Sequence, residues 1–159
     1  MTPVDLDHLR HAIEVARRSR ANGNHPFGAL LADGDGMIRL EAENTVVTGH
    51  DCTGHAETNL MRQASQVFDR DFLAGCTVYT STEPCAMCAG AIYWGNVGRV
   101  VFAISEAELL EMTGGNPENP TLALPCREVF ARGQRAIEVD GPAPELETEG
   151  KAVHLGFWN

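Results

Sequence analysis

Apolar residues recur at helical spacing over residues 5–21, where Leu6, Leu9, Ile13 and Ala16 share one face and Asn22-Gly23 ends the run. That face needs a sheet to pack on. A short apolar strand is predicted over 26–32, a turn of the hairpin type at Asp33-Gly34-Asp35-Gly36, and a returning strand over 37–44. Residues 45–54 are rich in Thr, Gly, His and Asp and read as a loop, from which a helix begins near His55 and runs through Leu60, Met61, Ala64 and Val67. The next unit repeats the logic: a β-rich strand at 76–80, a turn at Ser81-Thr82-Glu83, and a helix opened by Pro84 that reaches Trp94. An apolar strand at 98–103 follows, and a strand-helix-strand passage of this length implies a parallel, right-handed crossover in a layered α/β fold. Further on, the pattern predicts helices at 106–112 and 125–131, a loop at 113–120 and a last strand at 136–139. Gly141-Pro142-Ala143-Pro144 then sets off an acidic tail segment, 140–159, that ends in Gly156-Phe157-Trp158-Asn159.

The chain has 159 residues, which is one domain by length, and it shows no internal repeat. It has no run of about 18 apolar residues able to span a bilayer, and Met1-Thr2-Pro3-Val4-Asp5 lacks the basic and apolar parts of a signal peptide, so a cytoplasmic location is expected. Five cysteines, two of them in a Cys-x-x-Cys, suit thiolate ligands in a reducing compartment better than a disulfide framework. With 12 Lys and Arg against 22 Asp and Glu, the net charge is −10, opposite to the basic footprint of a nucleic-acid binder. The nearest thing to a basic patch is Arg10, Arg17, Arg18 and Arg20 on the first helix, read as a solvated face.

Two short stretches about thirty residues apart carry the chemistry: Gly54-His55-Ala56-Glu57 and Glu83-Pro84-Cys85-Ala86-Met87-Cys88. His55, Cys85 and Cys88 supply the three N and S ligands of a catalytic Zn²⁺ site, which keeps its fourth position for water. Cys85 and Cys88, at i and i+3, lie on one helix face, and the positive end of the helix dipole favours their thiolates. Glu57 lies two residues beyond the histidine, better placed beside that water than on the metal. A closed structural site is the bland alternative, with Cys52 as fourth ligand, in a non-catalytic zinc-stabilised binding module. Glu57 is what separates the two, because a structural site has no use for it.

These two stretches resemble the signature of the zinc-dependent cytidine and nucleobase deaminase superfamily, with both halves in order and the proline before the first cysteine. The resemblance implies an α/β fold, a three-layer α/β/α sandwich with a mixed sheet of about five strands, and a single deaminase domain over 1–159. It implies hydrolytic deamination, with Zn²⁺ as cofactor and Glu57 as the proton shuttle. Histidine at position 55 places the likeness in the branch that includes tRNA adenosine deaminases and bacterial guanine deaminases. Asn44, eleven residues before His55, matches an asparagine that contacts the base in both. Pro26-Phe27-Gly28-Ala29 and Gly90-Ala91-Ile92-Tyr93-Trp94 look more like the guanine deaminases. The implied substrate is a free nucleobase or small relative, such as a nucleoside or amino-triazine, with guanine first. The Ala56 N–H and the Asn44 amide would hold its polar edge, and Phe27 and Trp94 would be stacking walls. A tRNA-specific adenosine deaminase is the alternative, disfavoured by charge and by Glu145-Leu146-Glu147-Thr148-Glu149 where the tRNA enzymes have a basic helix. No nucleic-acid or membrane partner is expected. A homodimer is, since the 86–94 helix is apolar nearly all round and needs cover on more than one face. Phe157-Trp158 is expected to pack over the pocket or onto a partner subunit.

Overall fold

A computed structural model describes residues 1–158. Five strands form one mixed sheet in the order β2-β1-β3-β4-β5. They are β1 (Gly28–Ala32), β2 (Ile38–Glu43), β3 (Thr77–Thr82), β4 (Arg99–Ile104) and β5 (Glu138–Asp140). β1 runs antiparallel to both β2 and β3, whereas β3, β4 and β5 are mutually parallel. Alternate strand residues feed two separate cores. Leu31, Val78, Val100 and Phe102 face one side of the sheet; Leu30, Tyr79, Val101 and Ala103 face the other. That alternation is the period of two expected of strands buried on both faces.

Helix α1 (Pro3–Ala21) covers the second face, capped by Thr2, whose side chain accepts from the Asp5 N–H while Asp5 reaches back. It packs close: a Cβ on Gly28 would lie 2.4 Å from the Ala12 carbonyl oxygen, so only glycine fits where α1 crosses the start of β1. Asp5, 2% exposed, accepts two bonds from Arg99, at 2.7 and 3.1 Å, and one from the Tyr79 hydroxyl at 2.8 Å, tying α1 to β3 and β4.

The other face carries α3 (Ala56–Val67), α5 (Ala86–Trp94) and α7 (Cys126–Ala131), whose apolar residues join the first core. Short helices α2 (Val46–Gly49) and α4 (Arg70–Ala74) lie in connections, and α6 (Glu106–Thr113) follows β4 directly. Two expectations from the sequence need revising. Ser81 and Thr82 belong to β3 and not to a turn; the strand runs on because the Ser81 hydroxyl accepts the Gly28 N–H at 3.1 Å. The acidic tail is not set apart either: a 3-10 turn at Pro144–Leu146 and α8 (Glu147–Ala152) return to the sheet, burying Ala143, Leu146 and Val153 in the core shared with α1. Residue 159 of that tail lies outside the described residues. Among the described residues no helix is long and apolar enough to cross a membrane.

Candidate active site

The site forms where β3 and β4 end and α3, α5 and α6 begin. His55 is the N-cap residue of α3 and Cys85 that of α5, both in extended conformation, so each side chain leaves its helix start toward the same point. Cys88 follows one turn into α5 and is fully buried. The His55 Nδ1 lies 3.6 Å from each sulfur, and all three ligand atoms fall within 4.8 Å of one another. Zn–S bonds of 2.3 Å and Zn–N bonds near 2.0 Å at tetrahedral angles place N and S about 3.6 Å apart, so these donors fit zinc in chemistry and in spacing. Among the described residues this is the group able to hold a metal, and exposed Cys52 is not part of it.

Glu57, in the first turn of α3, is 7% exposed, and its Oε2 accepts from the Cys88 thiol at 3.4 Å. It stands beside the ligand set without joining it. Burial, and next the negative charge of Cys85, push its carboxyl up to about 7. Within the Cys85–Cys88 pair, the neighbouring Cys88 sulfur and then His55 lower the Cys85 value, while Cys85 and burial raise that of Cys88. A dication at this point would favour the charged form of every one of these groups.

Glu57, Phe27, Glu106 and Leu109 border an inner recess of about 30 Å³ that also meets His55 and Cys85, above the roughly 10–15 Å³ one water needs. It lies beside a wider cleft of about 300 Å³, walled by His25, Phe27 and the 118–122 loop. Asn44 follows β2 with its backbone N–H on the Phe27 carbonyl. Its Oδ1 accepts the Val46 N–H at 3.0 Å, which leaves its Nδ2 buried without a partner. Ala56 is buried and opens α3, so its N–H is among those a helix leaves without an intrahelical acceptor. Trp94 does not belong here and is corrected: it closes α5, about 13 Å along the axis from the metal end, and is 77% exposed in a groove with Met61 and Ala91.

Several residues around the cleft went unread in the sequence. Glu83, 6% exposed, accepts the Cys126 N–H at 3.0 Å and the Glu106 N–H at 3.1 Å, holding the starts of α7 and α6 against the end of β3. Glu106 itself is 6% exposed, and burial, then Cys85 and its carboxylate neighbours, push it to about 8. A helix-opening glutamate after a capping serine reads from sequence as a capping feature; nothing there marks it as a wall of the cleft. His154 is buried behind Phe27, its value lowered by burial to about 4, and accepts the Trp158 indole N–H at 3.2 Å. Trp158 packs edge-on to His25 and tilted against Phe27, and its carbonyl accepts from Asn116 at the head of the mouth loop. The C-terminal aromatic pair thus backs the pocket wall within its own chain. Of the first-helix arginines, Arg10 meets Asp7, Arg17 meets Glu14, Arg18 meets Glu41 and Glu43, and Arg20 donates to the Val153 and Leu155 carbonyls.

Residues 3–104 match the family model for the cytidine and deoxycytidylate deaminase zinc-binding region. A protein of Schizosaccharomyces pombe named as a probable cytosine deaminase is 40% identical over 159 residues, which is 100% of this chain and 95% of that one. A guanine deaminase of Bacillus subtilis is 43% identical over 104 residues, covering 65% of this chain and 66% of its own. Among solved structures, one from work on A-to-I editing by tRNA:A34 deaminases superposes with a TM-score of 0.71 at 25% identity, covering 92% of this chain and 99% of that one.

Proposed function

The chain belongs to the family of the cytidine and deoxycytidylate deaminase zinc-binding region, and on that premise we propose that it hydrolyses the exocyclic amine of a free nucleobase and releases ammonia. The observation that carries this reading is Glu57, buried beside the His55–Cys85–Cys88 cluster yet outside it, at the edge of a recess with room for a water. Zinc, when bound by those three residues, lowers the pKa of water and so makes it a nucleophile at neutral pH. Glu57 takes a proton from the attacking water and gives it to the departing amine, so that base–NH2 and water become base=O and ammonia. The Asn44 Nδ2 and the Ala56 N–H are both donors, and they hold a carbonyl of the ring. Phe27 covers one face of it.

The acidic cleft supports a small substrate over a nucleotide or nucleic acid. Glu57, Glu83 and Glu106 border the recess and Glu118 the mouth, and the helix arginines are already engaged. Guanine leads the panel on the likeness of Pro26–Ala29 and Gly90–Trp94 to guanine deaminases. Cytosine stands beside it, because the relative named for cytosine matches from end to end, including the segment that backs the pocket. The working unit is a homodimer formed through the outer side of α5, where Met87 and Trp94 are exposed. The test is ammonia release across purines, pyrimidines, nucleosides and triazines, with and without metal chelation. Turnover of a free base, lost on chelation and restored by Zn²⁺, is expected. Inosine formed in a tRNA anticodon stem-loop faster than any free base is turned over would overturn the assignment.

A further inference from the structure

Two residues of the first turn of α3 reach the same sulfur. Glu57 Oε2 and Thr58 Oγ1 each lie 3.4 Å from Cys88 Sγ, and His55 Nδ1 lies 3.6 Å from it. The function assigned above uses His55 and Glu57 and leaves Thr58 without a role. A hydroxyl inside a helix commonly turns back on its own chain and bonds a carbonyl one turn earlier. Ser65, two turns on in the same helix, does this, donating to the Met61 carbonyl at 2.8 Å and the Arg62 carbonyl at 3.2 Å. The Thr58 hydroxyl reaches across to α5 instead.

Once a metal takes the Cys88 sulfur, its three neighbours are no longer equivalent. A ligating cysteine is a thiolate with no proton to give, so any lone pair left over can only accept. The His55 Nδ1 lone pair goes to the metal, and Glu57, as the carboxylate that takes up a proton, is an acceptor too. The Thr58 hydroxyl, whose proton rotates to suit, is what remains to donate. Cys88 is fully buried, and buried charge without a donor is disfavoured. Cys85 is placed differently: it is half-buried at the N-cap of α5, among the N–H groups that a helix start leaves free. Thr58 also borders the groove that holds Met61, Ala91 and Trp94, so one side chain stands between the ligand sulfur and the outer face of α3 and α5.

We propose that Thr58 is a positioning residue for the metal: its hydroxyl donates to the Cys88 thiolate, fixes the direction of that ligand and holds back part of the charge the sulfur would otherwise give to the ion. Partners of this kind, behind the ligands themselves, typically change metal affinity about 10- to 100-fold when removed. The β-branched side chain suits the task, because few χ1 positions are open to it within a helix.

This role rests on zinc held by His55, Cys85 and Cys88, as read above, and not on which compound is deaminated. Zinc dissociation constants are measured for the wild-type protein, Thr58→Val, Thr58→Ala and Thr58→Ser by competition with a chromophoric chelator. The Co²⁺-substituted proteins are compared by absorption in the thiolate-to-cobalt charge-transfer region, and unfolding midpoints of the chelator-treated proteins control for folding. Valine keeps the shape of threonine without the hydroxyl, and Thr58→Val should bind zinc about 10- to 100-fold more weakly. Thr58→Ala, which guards against a packing fault in the valine variant, should fall in the same range. Thr58→Ser keeps the hydroxyl and should stay close to wild type. The charge-transfer band should move to longer wavelength in the valine and alanine variants alone, since a thiolate relieved of its hydrogen bond gives up charge more readily. An unchanged affinity or an unmoved band in folded Thr58→Val and Thr58→Ala overturns the proposal, as does a serine variant that loses as much affinity as the valine one. A wild-type protein that binds no zinc defeats the zinc assignment and the role of Thr58 with it. The expected losses in a protein that deaminates none of the compounds tested sustain the role of Thr58 while the deaminase reading falls.

Discussion

Glu57→Gln has a consequence for stability as well as for turnover, and its size follows from the burial of the carboxyl group. In the metal-free protein Glu57 titrates at about 7 in place of 4.5, chiefly because burial disfavours its charged form. A value raised by folding means that the folded state prefers the protonated acid. The stability Glu57 contributes is therefore full below about pH 4.5 and lost as pH rises through 7. A difference of roughly 2.5 units at 1.36 kcal/mol each is about 3 kcal/mol. Glutamine has no charge to bury and keeps the shape. In urea unfolding of chelator-treated protein, the variant should exceed wild type by about 3 kcal/mol at pH 8, with the difference falling below about 1 kcal/mol at pH 4.5. Reloaded with Zn²⁺, the same variant should bind about one metal per chain and lose at least 10²- to 10⁴-fold in turnover. Such a trade of stability for a strained functional group is common at active sites. A stability difference that is the same at both pH values would refute the burial argument, and activity within a few-fold of wild type would move the proton shuttle to another residue.

Trp158→Ala removes a side chain that is 6% exposed and backs Phe27 and His25; it should cost about 3–5 kcal/mol in unfolding free energy and raise KM more than it lowers kcat, read by calorimetry and steady-state kinetics. Asp5→Asn takes a charge from beside Arg99 and should destabilise by about 2–4 kcal/mol at pH 7. Because the arginine holds the Asp5 carboxyl well below its ordinary value, wild type should lose that advantage as pH falls below about 4, and the variant, having no such group, should be flatter over the same range in acid titrations. Light scattering should give about 34 kDa, twice the 17.2 kDa chain, and Trp94→Glu should shift the particle toward one chain; a single chain for the wild-type protein at micromolar concentration would refute the dimer.

Most of the layered core was legible because each buried strand and helix repeats its period clearly. Leu9, Ile13 and Ala16 on α1 and the run Val100-Val101-Phe102-Ala103 are buried where the pattern expects. The parallel pairing of β3 with β4 follows from the helix between them. Elements whose apolar residues are few and scattered were lost. Helix α8 has the sequence Glu-Thr-Glu-Gly-Lys-Ala, with no apolar stripe to read; its position is set by Leu146 and Val153 on either side and by Arg20 reaching their end of the chain. Tertiary anchoring of this kind leaves no local period behind.

The candidate site divides along the same line. His55, Glu57, Cys85 and Cys88 are legible because metal chemistry demands specific residue types at fixed spacing, and both stretches are short. Trp94 misled for the opposite reason: it sits near the motif in sequence, but a helix carries its ninth residue about 12 Å from its first. Glu106 is the reverse case, eighteen residues beyond Cys88 in sequence yet bordering the same recess, because β4 runs parallel to β3 and returns the chain to the same end of the sheet. Parallel strands gather their C-terminal residues at one edge whatever the sequence distance, which is why ligand sites of open α/β sheets collect there. Glu83 after β3 and Glu106 after β4 are such a pair, joined by the hydrogen bond from the Glu106 N–H to the Glu83 carboxylate. Glu83 spends its carboxylate on the fold, accepting the Glu106 and Cys126 N–H groups, while Glu106 borders the recess with its carboxyl group.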